Sequence, residues 1–266
     1  MARWQKSRCC ELTSAVGMLS KKGREATITR LLFLVIGLES ILIGGLIGLH
    51  MEYVLTATKT DARAGSYYDK IAAFYDLTFK LNGYGRSLDQ YFANHPLPVS
   101  RGANILDAGC GTGLLTLALL RTLRFPVKIT ALDLSATSIT AARKAVSESP
   151  GRTRDVTFAE GNLLSLPFGN NSIDLVVTSG ALEYVSLGEG MSELARVIAP
   201  GGHLLHLPCR PTPASTFLEI LFRFKSHPRQ EILDQTKKHF RMVHEYRFPP
   251  LQIIGWSKTA MLGQKL

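Results

Sequence analysis

The feature that most constrains the fold is a short apolar strand that runs into a glycine-rich turn and then into a helix. It occupies residues 105–113, with the sequence ILDAGCGTG. Glycines let the backbone approach a ligand closely, and the first turn of the following helix presents free N–H donors. Alone, this element predicts only that a nucleotide-like ligand binds at the turn.

The spacing of the glycines argues against two common nucleotide-binding sites. A dinucleotide-binding fingerprint has glycine at its sixth position, whereas here that position is Leu114 and the glycine stands one residue earlier, at Gly113. A nicotinamide cofactor is therefore disfavoured. A phosphate-binding P-loop is excluded as well, because no Gly-Lys-Ser or Gly-Lys-Thr follows the turn.

From residue 104 onward the chain alternates short apolar strands with helices. Continuous apolar strands separated by helices predict an α/β, Rossmann-like doubly wound sheet that is covered on both faces. Two strand-like runs near the C-terminus, separated by Pro249 and Pro250, predict a closing antiparallel pair. The predicted strands are 104–109, 127–133, 155–159, 173–178, 203–208, 239–248 and 252–262, and the predicted helices are 113–124, 135–148, 187–198, 213–224 and 229–238.

A carboxylate stands at the end of the second predicted strand. Asp133 lies 24 residues after Gly109 and can accept hydrogen bonds from both hydroxyls of a ribose. Ser135 is placed to cap the following helix. Three further elements follow in order: EGNLLSLPF at 160–168, NSIDLVVTSG at 171–180 and ELARVIAPGG at 193–202.

Together, these five elements resemble the class I S-adenosylmethionine-dependent methyltransferases over residues 66–265. The resemblance implies a seven-stranded doubly wound sheet whose last strand is antiparallel, with S-adenosyl-L-methionine as cofactor. The segment YDKIAAFYD at 68–76 is similar to the first helix of the ubiquinone/menaquinone-type (type 11) methyltransferases, which act on small molecules and lipids.

The resemblance also implies a set of cofactor-binding residues. Residues of the glycine turn would meet the methionine end of the cofactor, Asp133 the ribose, the third loop the adenine, and the end of the fourth strand the transferred methyl. Asn162 stands where the family more often has Asp, and its amide oxygen can still accept from the adenine amino group. The full set is Tyr68, Asp107, Gly109, Cys110, Gly111, Asp133, Leu134, Asn162, Leu163, Ser179 and Gly180.

Catalysis would depend mainly on positioning, because a sulfonium methyl is already an activated electrophile. An acceptor that must lose a proton would need a base, and the candidates are Tyr75, Tyr184, His206 and Glu183. Three of them also have a structural explanation: Tyr75 as part of a lid, Glu183 as a helix-start carboxylate and His206 as a buried histidine with its hydrogen bonds satisfied. His203 and His206 are three residues apart on a strand and cannot chelate one metal, so no metal site is predicted.

The N-terminal region divides into three segments before the methyltransferase domain at 66–266. Residues 1–30 form a basic tail, with seven Lys/Arg against two Glu, and so hold half of the net charge of +10. Residues 31–51 (LLFLVIGLESILIGGLIGLHM) contain only one charged side chain, Glu39, and are long enough for a membrane-anchor helix. Residues 52–65 form a connector. A buried or interfacial helix and a cleaved signal peptide are the alternatives for 31–51.

The orientation of this anchor is set by two conflicting considerations. Four basic residues at positions 21–30 precede the segment and three at 59–70 follow it, which favours a cytoplasmic or matrix N-terminus and would place the domain on the other side. The cofactor pool favours a catalytic domain that faces the cytosol or the mitochondrial matrix, and we expect that orientation; an interfacial helix would remove the conflict. Gly44 and Gly48 form a GxxxG that could pair two copies as a homodimer.

The sequence therefore predicts a methyltransferase that acts on a small hydrophobic or lipid-like acceptor at a membrane, such as a quinone-like ring or a phospholipid headgroup amine. A protein methyltransferase and a non-catalytic methyltransferase-like scaffold are the alternatives. Nucleic acid is not an expected partner, because residues 178–181 read TSGA and lack the motif that clamps a base amine. Four cysteines without paired spacing fit a reducing compartment.

Overall fold

A seven-stranded mixed sheet organises the computed structural model of the chain. The strands are β1 (Asn104–Ala108), β2 (Lys128–Asp133), β3 (Val156–Glu160), β4 (Ile173–Ser179), β5 (Ile198–Leu207), β6 (Phe240–Arg247) and β7 (Thr259–Lys265). They lie in the order β3-β2-β1-β4-β5-β7-β6. Strands β1 to β5 pair in parallel, and β7 runs antiparallel to both of its neighbours, β5 and β6. This confirms the predicted Rossmann-like sheet with its antiparallel last strand.

The structure describes residues 83–149, 156–212, 215–216, 219, 224–249 and 257–266, all within the unit Ala64–Leu266. The tail, the anchor segment 31–51, the connector, Tyr68 and Tyr75 lie outside the described residues, as does most of the predicted helix at 213–224. Within the described ranges no helix is long and apolar enough to cross a bilayer.

Helices cover both faces of the sheet. The first three described α-helices pack on one face, where Leu88, Leu119 and Ile129 share a core, and the other two pack on the opposite face with Leu106, Met191 and Leu204. The central strands β1 and β4 are buried along almost their whole length because neither face meets water. The helices are α1 (Tyr84–Asn94), α2 (Leu114–Thr122), α3 (Ala136–Ser147), α4 (Leu187–Val197) and α5 (Arg229–Lys237), with a 3-10 turn at Leu182–Tyr184.

The strand order indicates the edge of the sheet at which a ligand would bind. Strand β1 pairs with β2 on one side and β4 on the other, so the chain reverses its direction of winding between β1 and β4. Ligands of open α/β sheets bind outside the carboxyl ends of the strands at such a switch point. The glycine turn after β1 and Ser179 at the end of β4 both lie there.

Three elements differ from the sequence prediction. Helix α1 was not predicted, although Tyr84, Leu88 and Tyr91 recur at helical spacing on its buried face. Strand β5 begins at Ile198, five residues before the predicted 203, because Ile198 pairs with Ile173 ahead of a register shift. Strand β7 begins at Thr259, whereas the predicted run began at 252.

Candidate active site at the carboxyl edge of the sheet

The glycine turn after β1 is held tightly on one side and open on the other. Gly109 and Gly111 both adopt positive φ, at 76° and 52°. A Cβ on Gly109 would collide with Ala181, whereas a Cβ on Gly111 would meet no atom within 4 Å. The N–H groups of Gly109 and Cys110 donate to the carbonyl of Leu132 at 2.8 and 2.9 Å. Gly111 therefore lines the side of the turn from which a ligand can approach.

Asp133 is fixed against this turn. Its carboxylate accepts hydrogen bonds from the N–H of Gly111 at 2.8 Å and from that of Ser135 at 2.9 Å. Burial raises the pKa of Asp133, while these backbone hydrogen bonds oppose the shift. A carboxylate has about four acceptor positions, so acceptor capacity remains for a ribose hydroxyl. Ser135 accepts from the N–H of Ser138 at 3.1 Å, which confirms the predicted helix cap.

Leu134, directly after this carboxylate, is 69% exposed. A large apolar side chain in solvent beside a polar acceptor is a suitable platform for a flat aromatic base. Cys110, in the glycine turn, is buried beside Ala131 and Ile139, and its thiol has a raised pKa because of that burial. Cys110 therefore fills space beneath the turn.

Asp107 supplies a second carboxylate beside the turn. It is fully buried and accepts from the hydroxyl of Thr116 at 2.5 Å. Its Oδ1 has no hydrogen-bond partner among the described residues. Burial, reinforced by the charge of Asp133, raises the pKa of Asp107 to about 7. An unpartnered buried carboxylate oxygen suits a positively charged ligand group, and S-adenosylmethionine carries both an ammonium and a sulfonium.

The loop after β3 holds the two residues expected to contact the adenine. Gly161 donates to the carbonyl of Asp133 at 2.9 Å, which brings the loop to the site. Asn162 is exposed, but its amide oxygen already accepts from the N–H of Leu164 at 2.9 Å, which leaves one lone pair for a ligand. The side chain of Leu163 packs into the core, so only its backbone could meet a ligand.

At the end of β4, Ser179 is joined to a residue that sequence reasoning missed. The hydroxyls of Ser179 and Tyr84 lie 2.6 Å apart. Tyr84 is buried at the start of α1, and burial raises its pKa while Lys258 opposes the rise. Gly180 follows with φ 74°. Tyr84 was missed because α1 was not predicted.

The candidate bases occupy different environments. Tyr184 is 38% exposed, with its ring 5.9 Å from that of Phe224. His206 is buried on β5, and burial lowers its pKa to about 4, so the imidazole is neutral. Neither ring nitrogen of His206 has a partner among the described residues, so the predicted satisfied histidine is not what the structure shows.

Glu183 is not a solvated carboxylate at the start of an α-helix. It lies buried in the 3-10 turn and accepts from the N–H of Cys209 at 2.5 Å. Burial alone would raise the pKa of Glu183, but Lys258, His206 and the Cys209 N–H together lower it. The carboxylate is therefore ionised inside the protein.

Lys258 was missed by sequence reasoning. It is 1% exposed, lies directly across from Cys209 in an antiparallel bridge, and donates to the carbonyl of Leu207 at 3.3 Å. Because β7 runs antiparallel to β5, the residue that precedes it lies at the carboxyl edge of the parallel strands. A lysine just before a short strand has no local sequence signal that would place it there.

Comparison with known proteins gives a consistent result. A family model described as a methyltransferase domain matches residues 105–202. The ubiquinone/menaquinone biosynthesis C-methyltransferase UbiE of Hahella chejuensis is 30% identical over 193 residues, which cover 71% of this chain and 77% of that protein. A demethylmenaquinone methyltransferase of Mycobacterium sp. is 31% identical over 220 residues, which cover 77% of this chain and 90% of that protein.

A likeness in three dimensions supports the fold. The crystal structure of geranyl diphosphate C-methyltransferase from Streptomyces coelicolor A3(2), in complex with Mg2+, geranyl-S-thiolodiphosphate and S-adenosyl-L-homocysteine, matches with a TM-score of 0.57. The match covers 67% of this chain and 75% of that one at 16% sequence identity.

Proposed function

The chain belongs to the class I S-adenosylmethionine-dependent methyltransferases, near the ubiquinone/menaquinone type, and on this premise we propose that it methylates a ring carbon of a demethylmenaquinone-like quinol. The observation that carries the proposal is the match to quinone-pathway methyltransferases over most of their length. The glycine turn, in which the Gly111 N–H donates a hydrogen bond to Asp133, supports the proposed use of S-adenosylmethionine.

Different residues at the carboxyl edge of the sheet would bind different parts of the cofactor. S-adenosylmethionine, when bound, supplies the methyl group as an activated electrophile. Asp133 would bind the ribose and Asp107 the ammonium group. The open side of the turn at Gly111 would leave room for the methionine end of the cofactor. Tyr84 and Ser179 hold each other in place beside the position expected for the methyl, so the acceptor meets a rigid surface.

We further propose that residues 31–51 hold the enzyme at a bilayer, with the catalytic domain facing the cytosol or the mitochondrial matrix. A prenylated quinol dissolves in the membrane, so a tethered enzyme would meet it there. Support comes from the apolar run, in which Glu39 is the only charged residue. The full-length protein should stay in the membrane pellet after carbonate washing. Its release into the supernatant would contradict an integral anchor.

The acceptor is tested with the full-length protein in lipid vesicles. The vesicles contain reduced demethylmenaquinone and phosphatidylethanolamine, and the cofactor carries a trideuterated methyl group. We expect the label on a ring carbon of the quinol, located by mass spectrometry and carbon NMR. Label in the phospholipid or in polypeptide would show that one of these, and not the quinol, is the acceptor. Cofactor binding without methyl transfer to the quinol, the phospholipid or polypeptide would favour a non-catalytic scaffold.

A further inference from the structure

A cluster of buried polar side chains lies at the carboxyl ends of β4 and β5, next to the proposed methyl position. We name it the Glu183 cluster, and it consists of Thr178, Glu183, His206 and Lys258. The four side chains are at most 4% exposed. Charged and polar groups are rarely buried to this degree unless they are paired or functional.

Three separate parts of the chain form the cluster. Thr178 and His206 are direct partners in the register of β4 and β5, on the sheet face that α4 covers. Glu183 comes from the 3-10 turn that follows β4, and Lys258 enters from the residue before β7. The placement requires the antiparallel insertion of β7 beside β5.

Several polar atoms of the cluster have no hydrogen-bond partner among the described residues. They are Oε2 of Glu183, both ring nitrogens of His206 and Oγ1 of Thr178. Nearly all buried polar atoms in folded proteins are paired with protein or water, so four unpaired atoms in one place call for an explanation. A ligand hydroxyl, which donates one hydrogen bond and accepts up to two, would satisfy part of this set.

The cluster adjoins the cofactor site. Thr178 immediately precedes Ser179, whose hydroxyl is bonded to that of Tyr84. The pKa of Tyr84 responds to Lys258 and, more weakly, to Asp107, so its phenol is within electrostatic range of both the cluster and the cofactor turn. An acceptor bound beside Ser179 would therefore have the cluster within reach of a ring substituent.

We propose that the Glu183 cluster binds the ring hydroxyl of the methyl acceptor and that His206 removes its proton, an inference that rests on the proposed function. The O–H bond of the acceptor breaks and an N–H bond forms on the neutral imidazole. The resulting oxyanion lies near the ammonium of Lys258, and the ionised carboxylate of Glu183 stabilises the imidazolium. An ionised hydroxyl donates electrons into the ring, which makes the adjacent ring carbon nucleophilic.

The rest of the step balances without a further reactant. The ring carbon bonds to the methyl group as the methyl–sulfur bond breaks, and the sulfonium charge is lost with that bond. The hydrogen on the ring carbon leaves as a proton, and His206 returns its own proton to the ring oxygen. Overall, one ring C–H becomes C–CH3 and one proton is released.

The charged groups that face His206 bear on its function. Burial lowers the pKa of His206, Glu183 opposes that shift, and Lys258 and His227 add to it. The imidazole is thus neutral and able to accept a proton at physiological pH, and its protonated form is stabilised by Glu183 and by the oxyanion that forms beside it. A base of this kind contributes typically about 100-fold to 10,000-fold to a rate.

The test compares His206→Gln with His203→Gln in the full-length protein. His203 lies on the same strand but is only partly buried, and it points to the opposite face, so its variant is a matched control. For His206→Gln we expect affinity for S-adenosyl-L-homocysteine within about twofold of wild type and kcat lower by about 100-fold or more. An acceptor with electron-withdrawing substituents, already ionised in solution, should recover most of that loss.

Three results would overturn the assignment: full activity in His206→Gln, an equal loss in both variants, or an equal loss with the ionised acceptor. If the wild-type protein binds the cofactor but methylates no quinol, the proposed function fails instead. A measurement on the wild type covers the case in which His206→Gln does not fold. The absorption spectrum of the quinol, bound with S-adenosyl-L-homocysteine, should be that of the ionised form at a pH where the free quinol is neutral. A neutral spectrum would contradict the inference.

Discussion

Replacing Asp133 with asparagine should weaken cofactor binding strongly while leaving the fold intact. In the structure, the carboxylate already accepts from the N–H groups of Gly111 and Ser135, at 2.8 and 2.9 Å, and keeps its other acceptor positions for the ribose. Asparagine has the same shape, but it carries no charge and only one acceptor oxygen. Its NH2 group would face a donor or a ribose hydroxyl that needs an acceptor.

The size of the effect follows from the bonds lost. Hydrogen bonds to charged groups contribute roughly 1.5–3 kcal/mol each. Loss of the two ribose bonds, with partial compensation by the remaining oxygen, should weaken binding by about 3 kcal/mol, which is on the order of a 100-fold rise in Kd. Calorimetric titration with S-adenosyl-L-homocysteine measures this directly.

The control is the same substitution at Asp174. Asp174 is exposed at the amino end of β4 and accepts one backbone hydrogen bond, from Asn104 at 2.8 Å. Asp174→Asn should bind the cofactor product with wild-type affinity. A Kd for Asp133→Asn within about threefold of wild type would refute the assignment of Asp133 to the ribose, since even one charged hydrogen bond is worth more than that.

Three further predictions concern stability. Gly109→Ala should lower the melting temperature more than Gly83→Ala does. Both positions have positive φ, so each alanine costs roughly 1–2 kcal/mol in strain, but only an alanine at 109 meets a neighbouring side chain. Equal melting curves by differential scanning fluorimetry would contradict this. The pKa of Asp107 is raised to about 7, so the stabilisation linked to its protonation is complete below its ordinary pKa near 4 and is lost as the pH rises through 7. The urea midpoint of the ligand-free protein should therefore fall between pH 5 and pH 8 less steeply in Asp107→Asn than in the wild type, and unchanged steepness would count against a buried, protonated Asp107. Arg196→Lys should reduce the free energy of unfolding by about 2 kcal/mol in urea titrations. The Arg196 guanidinium donates to Glu193 and to the carbonyls of Leu166 and Phe168, and a lysine cannot make all of these hydrogen bonds. A change below about 0.5 kcal/mol would argue against a stabilising role for these hydrogen bonds.

The parallel half of the sheet and the cofactor turn could be predicted from sequence because their signals are local. Strands β1 and β4 are mostly buried, so each appears as a short apolar run, and strands β1 to β4 each begin within one residue of the predicted start. The turn after β1 needs glycines at positive φ, and those glycines are visible in the sequence.

The polar set beside the methyl position could not be predicted, because its members come together only through the tertiary fold. Lys258 and Glu183 are 75 positions apart in the sequence, and nothing near either of them indicates burial. Tyr84 needed a helix that its own periodicity supports but that carries no capping side chain, since its N-cap is Gly83. Asn162 was expected to contact the adenine, and its amide oxygen also accepts from a backbone N–H within its own loop, a contact that the sequence did not indicate.

We expect the turn after β1 and the carboxylate of Asp133 together to hold the adenosyl group with its sulfur toward Ser179. A crystal structure of the full-length protein with S-adenosyl-L-homocysteine tests it most directly. We predict both ribose hydroxyls at hydrogen-bond distance from Asp133, about 2.6–3.2 Å, and the sulfur beside the Ser179–Tyr84 pair. A ligand bound elsewhere, or a ribose that makes no contact with Asp133, would contradict the account.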